Sequence, residues 1–580
     1  MYDTIIAGGM IVDGTGAGPR RADVAIKGGT IAATGDLPSA AAADRVIDAK
    51  GRLVTPGFID IHSHADMSVH FADHEDILMP LVRQGITTFI GGNCGIGAAP
   101  VTKENRRDIL DYHEAFTMRE MDSHIRWESM GDFLMKMQKR GIILNMGMLA
   151  PHGMLRLAAA GPARRLVRSD ELAAMKRLLV RSLEEGAFGM STGLQYFPGS
   201  QSDTGELVSL GGVLKKFDAV FTSHLRSYSH TLPFAIDEVL TVGKRNAIRV
   251  QISHIYWQPY SKLLNPIVRG LVRAGSFIYN RLRLPIPIEV GLAQQFRPID
   301  EAIAAGVRVG VDIVPTSQGF TELLAFFPPW VLEGGRRMVL ERLSDPETRK
   351  QIRRDIEEGE PAWPHREAAG WSMNYLKMTG WGGLRVMSVA SERNRRLEGR
   401  SFPEIARDVG THAFEAMCDL LIEERGRVLV FHTPTVPDDP FVARSMFYAW
   451  FHPHSSVTTD TILLGMGRPS HLFYDAYPRY LSRYCRDQKR IGIGEAIRKC
   501  TSLPASQIGI KGRGEIREGN AADVVVMDWE RLGSSASFSE PARTPTGIEY
   551  VLVNGNAVVT PAGFQKGVSA GRVLLRGERS

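Results

Sequence analysis

The sequence predicts an α/β protein built on a (β/α)8 TIM barrel, with a β-sandwich drawn from both termini and a lid insertion. Three observations predict it. Strand-like and helix-like runs alternate through the middle of the chain, Gly-broken β-branched runs bracket it at both ends, and metal-capable side chains recur where the strand-like runs end. At 580 residues the chain has room for roughly two to four domains. Its 43% apolar and 23% charged residues match an ordinary globular protein.

In chain order, residues 1–55 hold "DTIIAGGMIVDG", "ADVAIKGGTIAATG" and "RVIDAKGRLVTPG", short strands with Gly turns. Residues 501–580 repeat the style in "GEIREGNAADVVVMDW" and "GIEYVLVNGNAVV", so the two ends are expected to form one β-sandwich. Residues 56–500 supply the barrel. Its eight candidate strands lie in "GFIDIHSHAD", "TTFIGGNCG", "IILNMGMLAPHG", "GAFGMSTGLQYFPG", "AVFTSHLR", "RVQISHIYW", "RVGVDIVP" and "SSVTTDT". Helix-like stretches such as "SDELAAMKRLLVRSLEEG", 169–186, follow several of them. The last two strands are separated by about 316–425, which is read as a lid or binding insertion because long barrel loops are usually functional.

The stretch "GFIDIHSHAD" places Asp60, His62 and His64 on one face of a strand, since side chains alternate. Cα atoms two residues apart on a strand are about 6.6 Å from each other, so both imidazoles can converge on one ion. A lone pair of this kind is weak evidence. Cys94, His224, His254 and Asp460, however, stand at the ends of further strands, and in a barrel all those ends open on one face. Imidazole, thiolate and carboxylate together suit Zn²⁺, which at an open site activates water for attack on a carbonyl. Asp460 is the candidate general base and acid.

Composition sets limits on partners. The net charge of +6 and the lack of a Lys/Arg pile-up interleaved with aromatics argue against nucleic acid. No signal peptide or run long enough to cross a membrane is visible, and the four cysteines are far apart, so a cytoplasmic protein with free thiols is expected.

"VTPGFIDIHSHAD", "GEIREGNAADVVVMD" and "VLVNGNAVV" resemble the amidohydrolase superfamily. Within it, "GGNCGIGAAP", "GAFGMSTGLQYFPG", "SHLR", "ISH" and "FFPPWVLEGG" resemble the D-aminoacylase group, the N-acyl-D-amino-acid deacylases. The resemblance implies a metal-bearing barrel that hydrolyses the linear amide of an N-acyl amino acid, a small-molecule substrate. It implies that a cysteine replaces the carboxylated lysine of hydantoinase-like relatives, in keeping with Cys94 and with Ser191 at the fourth strand end. It assigns Cys94, His224 and His254 to a tight zinc, and His62, His64 and Asp460 to a second site, weaker or empty. Tyr196 and Arg226, inside the matching motifs, become substrate-contact candidates.

Two departures stand out. Where the group carries a Lys and an Arg for the substrate carboxylate, this chain has Tyr256 and, near the second place, His471 or Leu472, with Arg468 close enough to substitute. The segment 261–290 looks like an added loop: it holds Lys262, Arg269, Arg273, Arg281 and Arg283, apolar residues between them, and no acid before Glu289. Such a stretch packs on the barrel or in a homo-oligomer interface, or else meets a membrane surface or an apolar ligand. The leading reading is a zinc-dependent hydrolase of an N-acyl compound with lipophilic character. Its alternatives are a cyclic amide or ester hydrolase, and a non-catalytic assembly protein on the same fold.

Overall fold

The computed structural model describes residues 1–37, 43–104, 106–284, 286, 288–363 and 372–578. Eight short parallel strands form the barrel: β1 (Phe58–Asp60), β2 (Ile86–Gly91), β3 (Asn145–Met148, resumed at Ala150–Pro151), β4 (Gly189–Gly193), β5 (Val220–His224), β6 (Val250–Ile252), β7 (Val309–Ile313) and β8 (Ser455–Val457). All eight are buried end to end, the polar members Asp60, Asn145, Gln251 and Asp312 included, which is why they read as mostly apolar or small-residue runs with no solvent-facing alternation. One ladder runs from Ala150–Pro151 through β4, β5, β6 and β7 to β8, and another joins β1, β2 and β3. The Phe188 amide donates to the Met148 carbonyl at 2.8 Å, joining β3 to the β4 side. The ring closes where the Asp460 amide donates to the His62 carbonyl and the His64 amide to that of Thr461, each at 2.9 Å. Helices including His74–Arg83, Met130–Arg140, Ser169–Glu184, Thr204–Lys216, Leu232–Asn246 and Val290–Ala304 alternate with the strands.

Strands from the two ends of the chain meet in one nine-stranded sheet. Its seam is the antiparallel pairing of Val524–Met527 with Leu53–Pro56, and Tyr2–Ile11 continues it on the other side. The C-terminal tail reaches back to the barrel: the Met146 amide donates to Arg572 and the Leu574 amide to Met146. This contact ties β3 to the sheet.

Two expectations change in detail. The sequence suggests a strand running through His64, but β1 ends at Asp60 because the chain beyond it turns to bond the end of β8. The excursion between β7 and β8 runs past 425. Val428–His432 completes its three-stranded antiparallel sheet with Gly319–Glu322 and Leu384–Val389, and the helices Pro440–Ser445 and Phe447–Phe451 follow before β8 begins. Within the segment 261–290 the described residues Asn265–Leu282 form a helix that roofs the open end of the barrel. No helix among the described residues is long and apolar enough to cross a membrane.

Candidate metal centre and substrate cavity

Three of the metal-capable residues sit in the left-handed backbone region that side chains other than glycine seldom adopt: Cys94 at φ 50°, His254 at φ 31° and Asp460 at φ 52°. Each follows a barrel strand, and each kink aims its side chain into the mouth. Such strain is held by surrounding structure and clusters where function needs an exact aim. Gly193 belongs to this bracing. A Cβ there would strike the Cys94 carbonyl, so the glycine of "MSTG" is what lets the β2 and β4 loops approach.

The side chains converge. Cys94 Sγ lies 3.1 Å from His62 Nε2 and 3.7 Å from both His224 Nδ1 and His254 Nε2, while those last two nitrogens are 3.0 Å apart. Tetrahedral ligands at zinc distances stand roughly 3.3 Å (N···N) and roughly 3.6 Å (N···S) from each other. The trio Cys94, His224 and His254 therefore already has the edges of a zinc tetrahedron. Oδ1 of Asp460 lies 3.4 Å from Nε2 of both His62 and His64, and single ligand atoms of His62, Cys94, His254 and Asp460 all fall within 4.8 Å of one another. Cys94 and His62 thus join the two sets that the resemblance separates.

Neighbouring groups fix the ring orientations. The His224 Nε2–H donates to Gln195 Oε1 at 2.7 Å, which leaves Nδ1 as the lone pair facing the cluster. The Tyr375 hydroxyl donates to the same Gln195 oxygen. Asp312, on β7, stands 3.2 Å from His62 Nδ1 and accepts the His254 amide at 2.7 Å. Burial opposes a thiolate at Cys94, but the charge on His62 and hydrogen bonds from His224, His254 and His62 outweigh it and hold the thiol well below its ordinary range. His64 is pushed up to about 9: burial opposes its charge, and hydrogen bonds to Asp460 and Cys94 overcome it. An anionic sulfur ringed by imidazoles is the donor set a soft divalent cation prefers.

Asp312, Gln195 and Tyr375 are absent from the sequence candidates. Asp312 had a signal, as the lone acid inside the apolar strand "VGVDIVP". Gln195 lay inside the motif "GAFGMSTGLQYFPG" beside Tyr196, but its pairing with Tyr375, 180 residues further on, comes only from the fold.

Above the cluster opens a cavity whose walls include Phe116, Tyr256, Trp257, Val272, Phe320 and Trp450. Tyr196 lines it, its hydroxyl oxygen accepting from Thr321 Oγ1 at 3.1 Å. Tyr256 stacks flat on Tyr228, ring centres 4.6 Å apart. The other three substrate-contact candidates are committed elsewhere and do not line this cavity. Arg226 is buried against Glu238 and the Ser200 and Ser202 carbonyls. Arg468 donates to the Phe538 and Ser539 carbonyls. His471 is held between Asp438 and Asp475 at 2.8 and 2.9 Å. Among the described residues the one Lys or Arg on the cavity wall is Arg269, from the roof helix. Burial, then the nearby Arg273, lowers its pKa, and no described carboxylate offsets them.

The amidohydrolase family model matches residues 45–210 and 448–559. The N-acyl-D-glutamate deacylase of Alcaligenes xylosoxydans xylosoxydans is 30% identical over 99% of this chain and 96% of its own. The crystal structure of a D-aminoacylase superposes with a TM-score of 0.74 at 27% identity, covering 99% of this chain and 100% of that one. An N-acyl-D-glutamate deacylase from Bordetella bronchiseptica, complexed with zinc and a phosphonate mimic of the tetrahedral intermediate, gives the same score and identity over 99% of each chain. The chain belongs to the amidohydrolase superfamily, in its D-aminoacylase group, and is a metal-dependent hydrolase of C–N bonds other than peptide bonds.

Proposed function

We propose that this enzyme is a zinc-dependent deacylase of N-acyl-D-amino acids whose acyl group is large and apolar. The observation that carries the reading is the cavity over the cluster, walled by aromatic and aliphatic side chains and holding, among the described residues, a single guanidinium, Arg269. The relatives' names, N-acyl-D-glutamate deacylase and D-aminoacylase, support the class of substrate. Arg269 faces the carboxylate, the apolar walls take the acyl chain, and each buried methylene adds about 0.8 kcal/mol to binding.

The donor set fits zinc, with Cys94, His224 and His254 as the tight site and His62, His64 and Asp460 as a weaker second one. Those residues would hold a cation that, when bound, would supply carbonyl polarisation and water activation near neutral pH. Asp460 takes the attacking water's proton on a carboxylate oxygen and returns it to the leaving nitrogen. Because the Tyr196 oxygen accepts from Thr321, its own proton is free to meet the acyl oxygen.

Elemental analysis of the purified protein, with hydrolysis of N-acetyl- and N-decanoyl-D-amino acids, their L-enantiomers, a cyclic amide and a simple ester, tests the reading. Zinc in stoichiometric amount and at least roughly tenfold higher kcat/KM for the decanoyl-D compound are expected. A preference for N-acetyl substrates removes the lipophilic part of the proposal, and turnover confined to the cyclic amide or the ester moves the bond.

A further inference from the structure

About half of the large apolar side chains that stand exposed among the described residues fall in one stretch, 263–290. On the roof helix Asn265–Leu282, Ile267, Leu271 and Leu282 point outward, and Leu263 and Leu284 extend the patch at either end. Leu271 is 66% exposed and Phe277 68%. The opposite face is fixed. Ser276 Oγ and Asn280 Nδ2 donate to the two oxygens of Asp439, Tyr279 packs on Phe441, and Val268 and Val272 close the substrate cavity. Mobility is therefore no explanation for the outer face, since the helix that carries it is pinned by its other side.

The charge on that face chooses the occupant. Lys262, Arg273, Arg281 and Arg283 are exposed, and from Lys262 to Leu284 the sequence has no acid. Glu289, the next acid along the chain, is taken by Arg444 at 2.8 Å. A second copy of this chain on a two-fold axis would set these cations against each other and desolvate them without partners. An anionic bilayer surface accepts both features at once, apolar side chains among the acyl chains and cations at the headgroups. The helix is not long and apolar enough to cross a bilayer, so on such a surface it would lie along the interface.

We propose that the outer face of the roof helix docks the enzyme on anionic lipid bilayers, placing the cavity mouth beside the membrane from which lipophilic N-acyl substrates are drawn. Docking needs only the helix surface, whereas the supply of substrate rests on the function proposed above. Co-sedimentation of the full-length, metal-loaded enzyme with phosphatidylcholine vesicles, with and without one-third phosphatidylglycerol, reads docking without turnover. Binding to the anionic vesicles that weakens with salt is expected, and it should fall roughly tenfold or more in Leu271→Ser/Phe277→Ser and in Arg281→Gln/Arg283→Gln. Circular dichroism and hydrolysis of a water-soluble N-acetyl substrate should match the parent, showing that the variants fold. Absence of binding to either vesicle overturns docking. So does binding that ignores both the anionic lipid and the arginine changes, or a sedimentation-velocity dimer that the Leu271→Ser/Phe277→Ser variant dissolves while vesicles bind nothing. Vesicle binding as expected without a preference for long acyl chains leaves docking standing and removes only the substrate supply.

Discussion

The barrel mouth and its roof face each other across one cavity and are built on opposite terms. At the mouth, Cys94, His224, His254 and Asp460 hang from strand ends, and three of them are held in left-handed backbone that only tight surroundings sustain. The roof is a single helix, pinned along one side and bare along the other. Chemistry needs fixed distances and takes them from β1 to β8. Selection needs surface, and takes it from what is inserted after β6, the roof helix included, and after β7.

If that division holds, damage at the mouth destroys activity outright. Cys94→Ala removes the sulfur that stands against His62, His224 and His254, so zinc content by elemental analysis and turnover should be lost together, the latter by roughly 10³ or more. Retained zinc at a near-normal rate would break the comparison at its first member. Asp460→Asn is the finer cut. It keeps the shape of the side chain and removes its basicity, so zinc should stay while kcat falls by roughly 10². A normal kcat would send the search for the base to another group.

How much of this could be read from residues alone follows the same line. The eight strands were legible because buried parallel strands leave β-branched runs between helical ones, and the metal-capable residues were legible because they end those runs. The three arginine and histidine candidates Arg226, Arg468 and His471 lay near the right motifs, but their partners, Glu238, the Phe538 carbonyl and Asp438, come from other turns of the chain. Proximity in sequence could not reveal those commitments. Arg269 failed as a candidate for the reverse reason: within a basic, apolar stretch nothing distinguishes the one cation that faces inward. Its helical phase beside Val268 and Val272 does, once the helix is seen.

The helices that follow β3 and β4 should set the acid stability of the barrel. Glu206 is buried between His152, 2.7 Å away, and Arg156. Burial alone would raise its pKa, but hydrogen bonds and charge from His152 and Arg156 lower it from 4.5 to about 2. A carboxyl whose folded pKa is depressed contributes stability that is complete above the unfolded value and is lost as pH falls through the folded one. The loss should therefore run from about pH 4.5 down to about 2. Glu206→Gln leaves the Arg156 guanidinium buried without its counter-charge and should cost about 3 kcal/mol at neutral pH, measured by urea unfolding, with a flatter acid limb. Leu271→Ser, on the roof's bare face, should change stability by less than about 0.5 kcal/mol. Similar costs for the two variants would erase the contrast between a rigid barrel and an applied roof.

The smallest effect tests the roof's share in recognition. Arg269 is half-buried on the cavity wall, and burial and Arg273 disfavour its charge without a described carboxylate to offset them. A carboxylate arriving with the substrate would supply that offset, and charge-assisted hydrogen bonds of this kind contribute about 1.5–3 kcal/mol. Arg269→Gln should therefore raise KM for an N-acyl amino acid roughly tenfold while leaving kcat nearly unchanged, because the guanidinium grips the substrate away from the bond that breaks. The same variant acting on the corresponding N-acyl amino acid amide, which has no carboxylate, should show the parent's KM. A rise in KM for both substrates would mean that the side chain shapes the wall without reading charge. A fall in kcat for both would place Arg269 with the mouth, and the division between the two regions would fail at the residue where they meet.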